Sequence, residues 1–279
     1  MKDFTLHIYQ ELLLAITEAG YTFFTFENWC DGKAKEPFVI LRHDVDLKAD
    51  HSLAMAQLEA EMGIKASYYF RVVPQSNQPE IIRSIAKLGH EIGYHYEDLS
   101  LFKGDEIKAL QHFEQQLHYF RQFYPIRTIC MHGSPISKWD NRDLWKTHNY
   151  QEYGIVGEPY FDFLSTQSLE KKFESDAKAD LKEKAMYFTD TGRMWNGDKY
   201  NVRDIANQPI NQSTDQPPKI HSTFDLINWL NTKPNQQMIM ITTHPQRWTT
   251  NKSMWMKELF FQTLKNNIKR FIVRRTKFV

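Results

Sequence analysis

Five short clusters in this chain hold residue types that bind metals or move protons. Arg42-His43-Asp44-Val45-Asp46 follows the apolar run Phe38-Val39-Ile40-Leu41, and His95-Tyr96-Glu97-Asp98 follows Glu91-Ile92-Gly93-Tyr94. His132-Gly133-Ser134-Pro135 follows Ile129-Cys130-Met131. Thr189-Asp190-Thr191-Gly192 comes after Ala185 to Phe188, and His244-Pro245 comes after Ile239-Met240-Ile241-Thr242-Thr243. Barrel enzymes place their chemistry just beyond the strand ends.

Asp44 and Asp46 alternate, so an extended chain turns both carboxylates to one side. Carboxylates that close repel unless a cation or a proton lies between them. A metal held by one, with the other poised as a base toward metal-activated water, removes the conflict. The plainer alternative is a helix cap at Asp46 and a surface Asp44. The position between an apolar strand and a helix favours the metal reading. His95 offers an imidazole suited to zinc or a related divalent ion. An isolated strand-end histidine would be structural, so its company carries the case. A third ligand stays open among His132, Glu97, Asp98 and His90. His244 would protonate a leaving group opposite the base, or simply cap its strand.

His51, His112, His118, His148 and His221 lack such company and read as structural. His7 and His43 stay open, although alternation points His43 away from Asp44. Gly133-Ser134-Pro135 lacks the Gly-x-Ser-x-Gly elbow. There is no phosphate-binding Gly-x-x-x-x-Gly-Lys-Ser/Thr loop and no Gly-x-Gly-x-x-Gly.

The elements that must position these residues alternate. Strands are expected at 38–41, 66–70, 91–94, 127–131 and 238–242, with weaker ones at 153–156 and 185–188. Helices are expected at 50–62, 79–88, 105–123 and about 253–269. Strands separated by helical patterns argue for a parallel sheet covered by helices. About seven strands without a long linker favour one barrel over residues 1–279. The charge-dense stretch 169–184 reads as a solvated helix, and the Asn/Gln/Pro-rich stretch 207–219 as an exposed loop. Lys265, Lys269, Arg270, Arg274, Arg275 and Lys277 interleave with Ile268, Phe271 and Val273. That pattern reads as a solvated face on a last strand or helix, with a polyanion patch as the lesser alternative.

Composition removes other classes. The 279 residues are 41% hydrophobic and 25% charged, which is globular rather than disordered. Lys and Arg number 35 against 34 acidic residues, so no overall basic field points to nucleic acid. Cys30 and Cys130 form no Cys-x-x-Cys pair and read as reduced thiols. The first residues have no signal-peptide pattern, and no run approaches the ~20 apolar residues of a membrane span. The expectation is a soluble, cytoplasmic protein.

The clusters, in this order, resemble the polysaccharide deacetylase (NodB-homology) superfamily, and more narrowly its surface-polysaccharide and O-antigen biosynthesis branch. Arg42-His43-Asp44-Val45-Asp46, Gly89-His90-Glu91-Ile92-Gly93-Tyr94-His95 and His132-Gly133-Ser134-Pro135 carry the resemblance, which spans roughly 38–248. It implies a distorted (β/α)7 barrel that removes N- or O-linked acyl groups from sugars with a divalent metal, commonly zinc. It implies Asp44 as base, Asp46 and His95 as metal ligands, Asp190 as an orienting residue, Trp195 as a pocket wall, and His244 as general acid. The family places a further histidine four positions after His95. Here Leu99 stands there, leaving Glu97, Asp98 or His132 as third ligand. Arg42 is implied as a partner of Asp44. Without a leader, the expected substrate is a nucleotide-linked or lipid-linked N-acyl sugar. The rivals are a metal amidase on a small cyclic amide or formyl group, and a non-catalytic glycan-binding barrel.

Overall fold

The computed structural model describes residues 2–134, 137–164, 185–195 and 218–276, with side chains of the last helix described through Asn267. Strands β1 (Thr22–Phe24), β2 (Phe38–Val45), β3 (Ser67–Phe70), β4 (Glu91–Tyr96), β5 (Ile129–Met131), β6 (Ala185–Thr189) and β7 (Met238–Thr243) form one parallel sheet. Its order is β5-β4-β3-β2-β7-β6. β1 pairs with Phe38–Ile40 of β2, and β3 with Arg42–Val45, so the two share one edge of that long strand. The sheet curls into a half-barrel. No ladder joins β5 to β6 among the described residues. The expected distorted barrel is compatible with this curl.

Helices α1 (Leu6–Glu18), α2 (Phe26–Cys30), α3 (Ala49–Glu61), α4 (Pro79–Lys87), α5 (Asp98–Leu101), α6 (Glu106–Phe120), α7 (Leu144–Thr147), α8 (Pro159–Asp162), α9 (Thr223–Asn231) and α10 (Lys252–Thr276) connect and cover the strands. Local chemistry sets their ends. Thr5, Thr25 and Asp105 accept backbone N–H bonds as N-caps, and Ser222 with Asp225 forms a capping box on α9. Gly63 and Gly89, at φ of 73° and 88°, let the chain turn from α3 and α4 into the following strands.

Alternation along the strands divides the core. Val39, Leu41, Tyr68, Phe70, Ile92, Tyr94 and Ile241 face the helices in the larger apolar cluster. Phe38, Ile40, Tyr69, Cys130, Tyr187 and Met240 line the inside of the curl with Phe26 and Trp29. Gly93 belongs to that inner face because Tyr69 lies across it, where a Cβ would collide with the ring. The inner face turns polar toward the C-terminal ends of the strands, with Arg42, Asp44 and His95.

Several expectations shift. The strands at 38–41 and 91–94 continue to Val45 and Tyr96. Asp44 and His95 therefore sit within strands and inherit their strict alternation. The expected strand at 153–156 is a 3-10 turn over Tyr150–Tyr153, ended by Gly154 at φ 71°, with one bridge from Thr128 to Gly157. Gly154 cannot continue a pleated ladder in that conformation. The seventh strand is instead Thr22–Phe24. Helices α1, α2 and α9 were not anticipated as such. The stretch 169–184, and 207–219 through Pro217, lie outside the described residues, as does Pro135.

Candidate metal centre

Three side chains converge at the C-terminal ends of β2, β4 and β5. Asp46 Oδ1 lies 3.6 Å from His95 Nε2 and 3.5 Å from His132 Nε2. The two imidazoles meet edge to face, with ring centres 5.3 Å apart. Strand register explains the meeting. His95 pairs with Cys130 in the β4–β5 ladder, so His132, two residues on, returns to the same inner face.

The proton positions follow from the partners. His95 Nδ1 is 2.9 Å from the Cys130 carbonyl, which can only accept, so Nδ1 carries the proton. Burial pushes His95 down to about 4, more than the Asp44 and Asp46 charges restore. Its Nε2 therefore presents a lone pair to Asp46 at neutral pH. His132 Nδ1 is 2.9 Å from Glu97 Oε2. Burial would raise Glu97, but the His132 bond and Arg71 hold it down at about 2, so this carboxylate accepts. Arg71 donates to Glu97 through Nε at 2.9 Å and Nη2 at 2.6 Å and 2.8 Å. His132 Nε2 is thereby also aimed at Asp46.

Asp46 itself accepts from Gln246 Nε2 through Oδ2 at 3.2 Å. Oδ1 is buried and has no hydrogen-bond partner among the described residues. Burial would raise the Asp46 carboxyl, yet the His132, His244 and His95 rings pull it well below the ordinary range. A buried carboxylate oxygen facing two imidazole nitrogens at these distances calls for a cation. Each of the two carboxylate–imidazole separations is close to the ~3.4 Å edge of a tetrahedron with bonds of about 2.1 Å. Each histidine is oriented through its other nitrogen, by a carbonyl or a carboxylate, as metal-ligating histidines usually are.

A second group overlaps the first. Asp44, His95 and Cys130 each place a ligand atom within 4.8 Å of the others, all buried, and could hold a metal ion. In this structure Arg42 already holds both Asp44 oxygens, through Nε at 2.9 Å and Nη2 at 2.7 Å. The Cys130 Sγ lies 3.7 Å from the Met131 carbonyl.

Asp44 stands 3.9 Å from His95 Nε2, beside the converging set. Burial would raise its carboxyl, but Arg42 and then His95 overcome this and hold it at about 2. After β6 and β7, His244 Nδ1 meets Asp190 Oδ1 at 2.6 Å. Asp190 is fully buried and also accepts from Arg247 Nη1 at 2.5 Å and Trp248 Nε1 at 2.9 Å. Burial would raise Asp190, but Arg247 and His244 hold it below its usual value. His244 is also among the groups that lower the Asp44 and Asp46 carboxyls.

The structure thus brings together Asp44, Asp46, His95, His132, Arg42, Glu97, Asp190 and His244. It separates the other proposed third ligands. Asp98 turns outward to Tyr94 Oη and His112 Nδ1. His90 is tied to the Ala56 carbonyl and the Ala66 N–H. Leu99 packs with Ala109 and Leu144, away from the site. Trp195 departs from its expected place as a pocket wall. It is fully buried, donates from Nε1 to Thr223 Oγ1, and packs edge-on to Trp248. Tyr94, Tyr96 and Trp248 are also core and offer no stacking face to solvent.

His43 points outward, as alternation requires, into a separate buried cluster. Its Nε2 is 2.9 Å from Glu59 Oε1, and Glu59 also accepts from Tyr9 and Tyr68. Sequence reasoning missed Arg71, Gln246 and Arg247. Arg71 directly follows β3, so the strand-end rule applied to every strand would have found it. Gln246 and Arg247 are two and three residues beyond His244. Searched against family models, curated proteins and solved structures, the chain matched none.

Proposed function

We propose that this protein is a metal-dependent hydrolase that removes an N-acyl group from a sugar. The observation that carries the reading is the buried, unpartnered Asp46 Oδ1 faced by two oriented imidazole nitrogens. Asp46, His95 and His132 would hold the divalent ion, and their one-oxygen, two-nitrogen donor set suits zinc. Bound there, the ion would polarise the scissile carbonyl and lower the pKa of water.

The chain's own groups supply the rest. Arg42 keeps Asp44 ionised, so its carboxylate is ready to accept a proton throughout the physiological range. Both Asp44 oxygens retain a free lone pair beyond the guanidinium bonds. Asp190 fixes the His244 ring through Nδ1, leaving Nε2 to deliver a proton to a departing amine. Arg247 and Trp248 hold Asp190 in turn, so the acid side is as firmly set as the base side. The sugar reading rests on the block resemblance, and an N-acetyl sugar is the substrate class it points to.

The test is acid release from a panel of N-acyl sugars, nucleotide-linked and lipid-linked, by zinc-loaded protein, with small cyclic imides as the competing panel. Turnover of a sugar that Asp44→Asn abolishes while bound zinc is retained supports the reading. Turnover confined to imides, or none in either panel with zinc bound, overturns it.

A further inference from the structure

Helix α10 is built inside out. Two of its protein-facing positions are polar: Gln262 and Asn266 are buried, bonded to each other, and Asn266 Nδ2 donates to the Gly192 carbonyl. One line of its solvent-facing positions is apolar. Met256, Phe260 and Leu264, spaced four apart on one line, are 54%, 67% and 50% exposed, and Phe261 beside them is 55% exposed. A surface helix of a globular protein normally shows the reverse. A contiguous exposed apolar strip of this kind marks a contact surface.

Charge selects the occupant. Residues 252–279 hold eight Lys and Arg and a single acidic residue, Glu258, whereas the preceding 251 residues hold 27 basic and 33 acidic residues. Lys257 and Lys265 flank the Phe260–Phe261 pair. Two copies of so basic a segment would repel, which counts against a second copy of this chain. Large apolar side chains among lysines instead fit a bilayer interface, with rings among the acyl chains and ammonium groups at acidic headgroups. The helix is not a candidate to cross, since no helix among the described residues is long and apolar enough.

Its placement adds a consequence. The Lys48–Glu258 ion pair at 3.2 Å and the bond from Arg193 Nη1 to the Trp255 carbonyl pin α10 to the loops after β2 and β6. These are the loops that carry Asp46 and Asp190. We infer that α10 docks this protein on an anionic lipid surface, with its Met256–Phe260–Leu264 strip in the interface and the candidate metal centre beside the membrane. Of the two sugar carriers, that position favours the lipid-linked one, a corollary that rests on the proposed function; the docking does not.

The experiment is vesicle co-sedimentation of the full chain, with phosphatidylcholine alone and with equimolar phosphatidylcholine and phosphatidylglycerol. The expected result is binding to the anionic vesicles, weakened by salt, with at least tenfold less to the neutral ones. Phe260→Ser with Phe261→Ser should lower binding at least tenfold, and Lys257→Gln alone roughly fivefold, the effect of one basic residue at such a surface. Unchanged circular dichroism and zinc binding would show that these exposed substitutions leave the fold intact. Three outcomes overturn the inference: no binding to anionic vesicles, equal binding to both kinds, or a dimer in sedimentation velocity that the double variant dissociates while vesicles go unbound. Because the readout is lipid binding alone, an inactive deacylase would leave it standing.

Discussion

Glu97→Gln tests the centre without touching a direct ligand. In the wild type Glu97 accepts three bonds from Arg71 and one from His132 Nδ1. A glutamine has one accepting oxygen and an NH2 that must point at either Arg71 or His132, where a donor would meet a donor. His132 then loses the acceptor that fixes its Nε2 toward Asp46. Loss of such a supporting partner lowers metal affinity about 10–100-fold, or roughly 1.4–2.7 kcal/mol. Because the Arg71 side chain retains some exposure (16%), its guanidinium can be hydrated, and the added cost in stability should stay near 1–2 kcal/mol. Competition against a fluorescent zinc chelator at neutral pH measures the affinity, with Asp46→Ala as the control that should lose more. An affinity within twofold of wild type would refute the role assigned to Glu97. If Cys130→Ser abolished binding while Asp46→Ala retained it, the ion would belong to Asp44, His95 and Cys130 instead.

Asp44 also makes a pH prediction. Its folded-state carboxyl sits at about 2, below the ~3.9 of an unfolded chain, so the Arg42 pairing adds stability above about pH 4 that disappears as pH falls toward 2. In urea titrations with chelator present, the deficit of Asp44→Asn should shrink by roughly 2 kcal/mol between about pH 5 and pH 2; a constant deficit would contradict the ion pair. Leu99→His, which places a histidine four positions after His95, should add no ligand. The side chain is 4% exposed in an apolar cluster, so the variant should lose about 2–4 kcal/mol in denaturant with zinc affinity unchanged. Tighter zinc binding would mean that position 99 reaches the site. Gly93→Ala should push Tyr69 from its place inside the curl and cost roughly 1–3 kcal/mol by thermal melt; an unchanged Tm would show that the ring moves freely.

Much of the site was legible because a strand's period is two. Alternation alone turned Asp44 and Asp46 to one side and His43 to the other, and His43 indeed meets Glu59 beneath α3. Alternation says nothing about which residue of the next strand arrives at the same level. That depends on register, which decides whether His132 arrives beside His95; Glu97, Asp98 and His90 flank β4 itself, and there side-chain direction decides. The His95–Cys130 pairing carries His132 to Asp46, and Glu97 meets the His132 ring. Local signals were also passed over. The Ser222–Asp225 capping box spells a helix start, and Thr22–Phe24 is too short to show a period. Leu99 is the instructive departure. The chain enters α5 at Asp98, and position 99 is carried into an apolar cluster, where no side chain reaches Asp46. In the proposed centre the second imidazole comes instead from His132, just after the neighbouring strand. A gap in a linear motif therefore does not by itself argue for a dead site, because ligands are counted around a point in space.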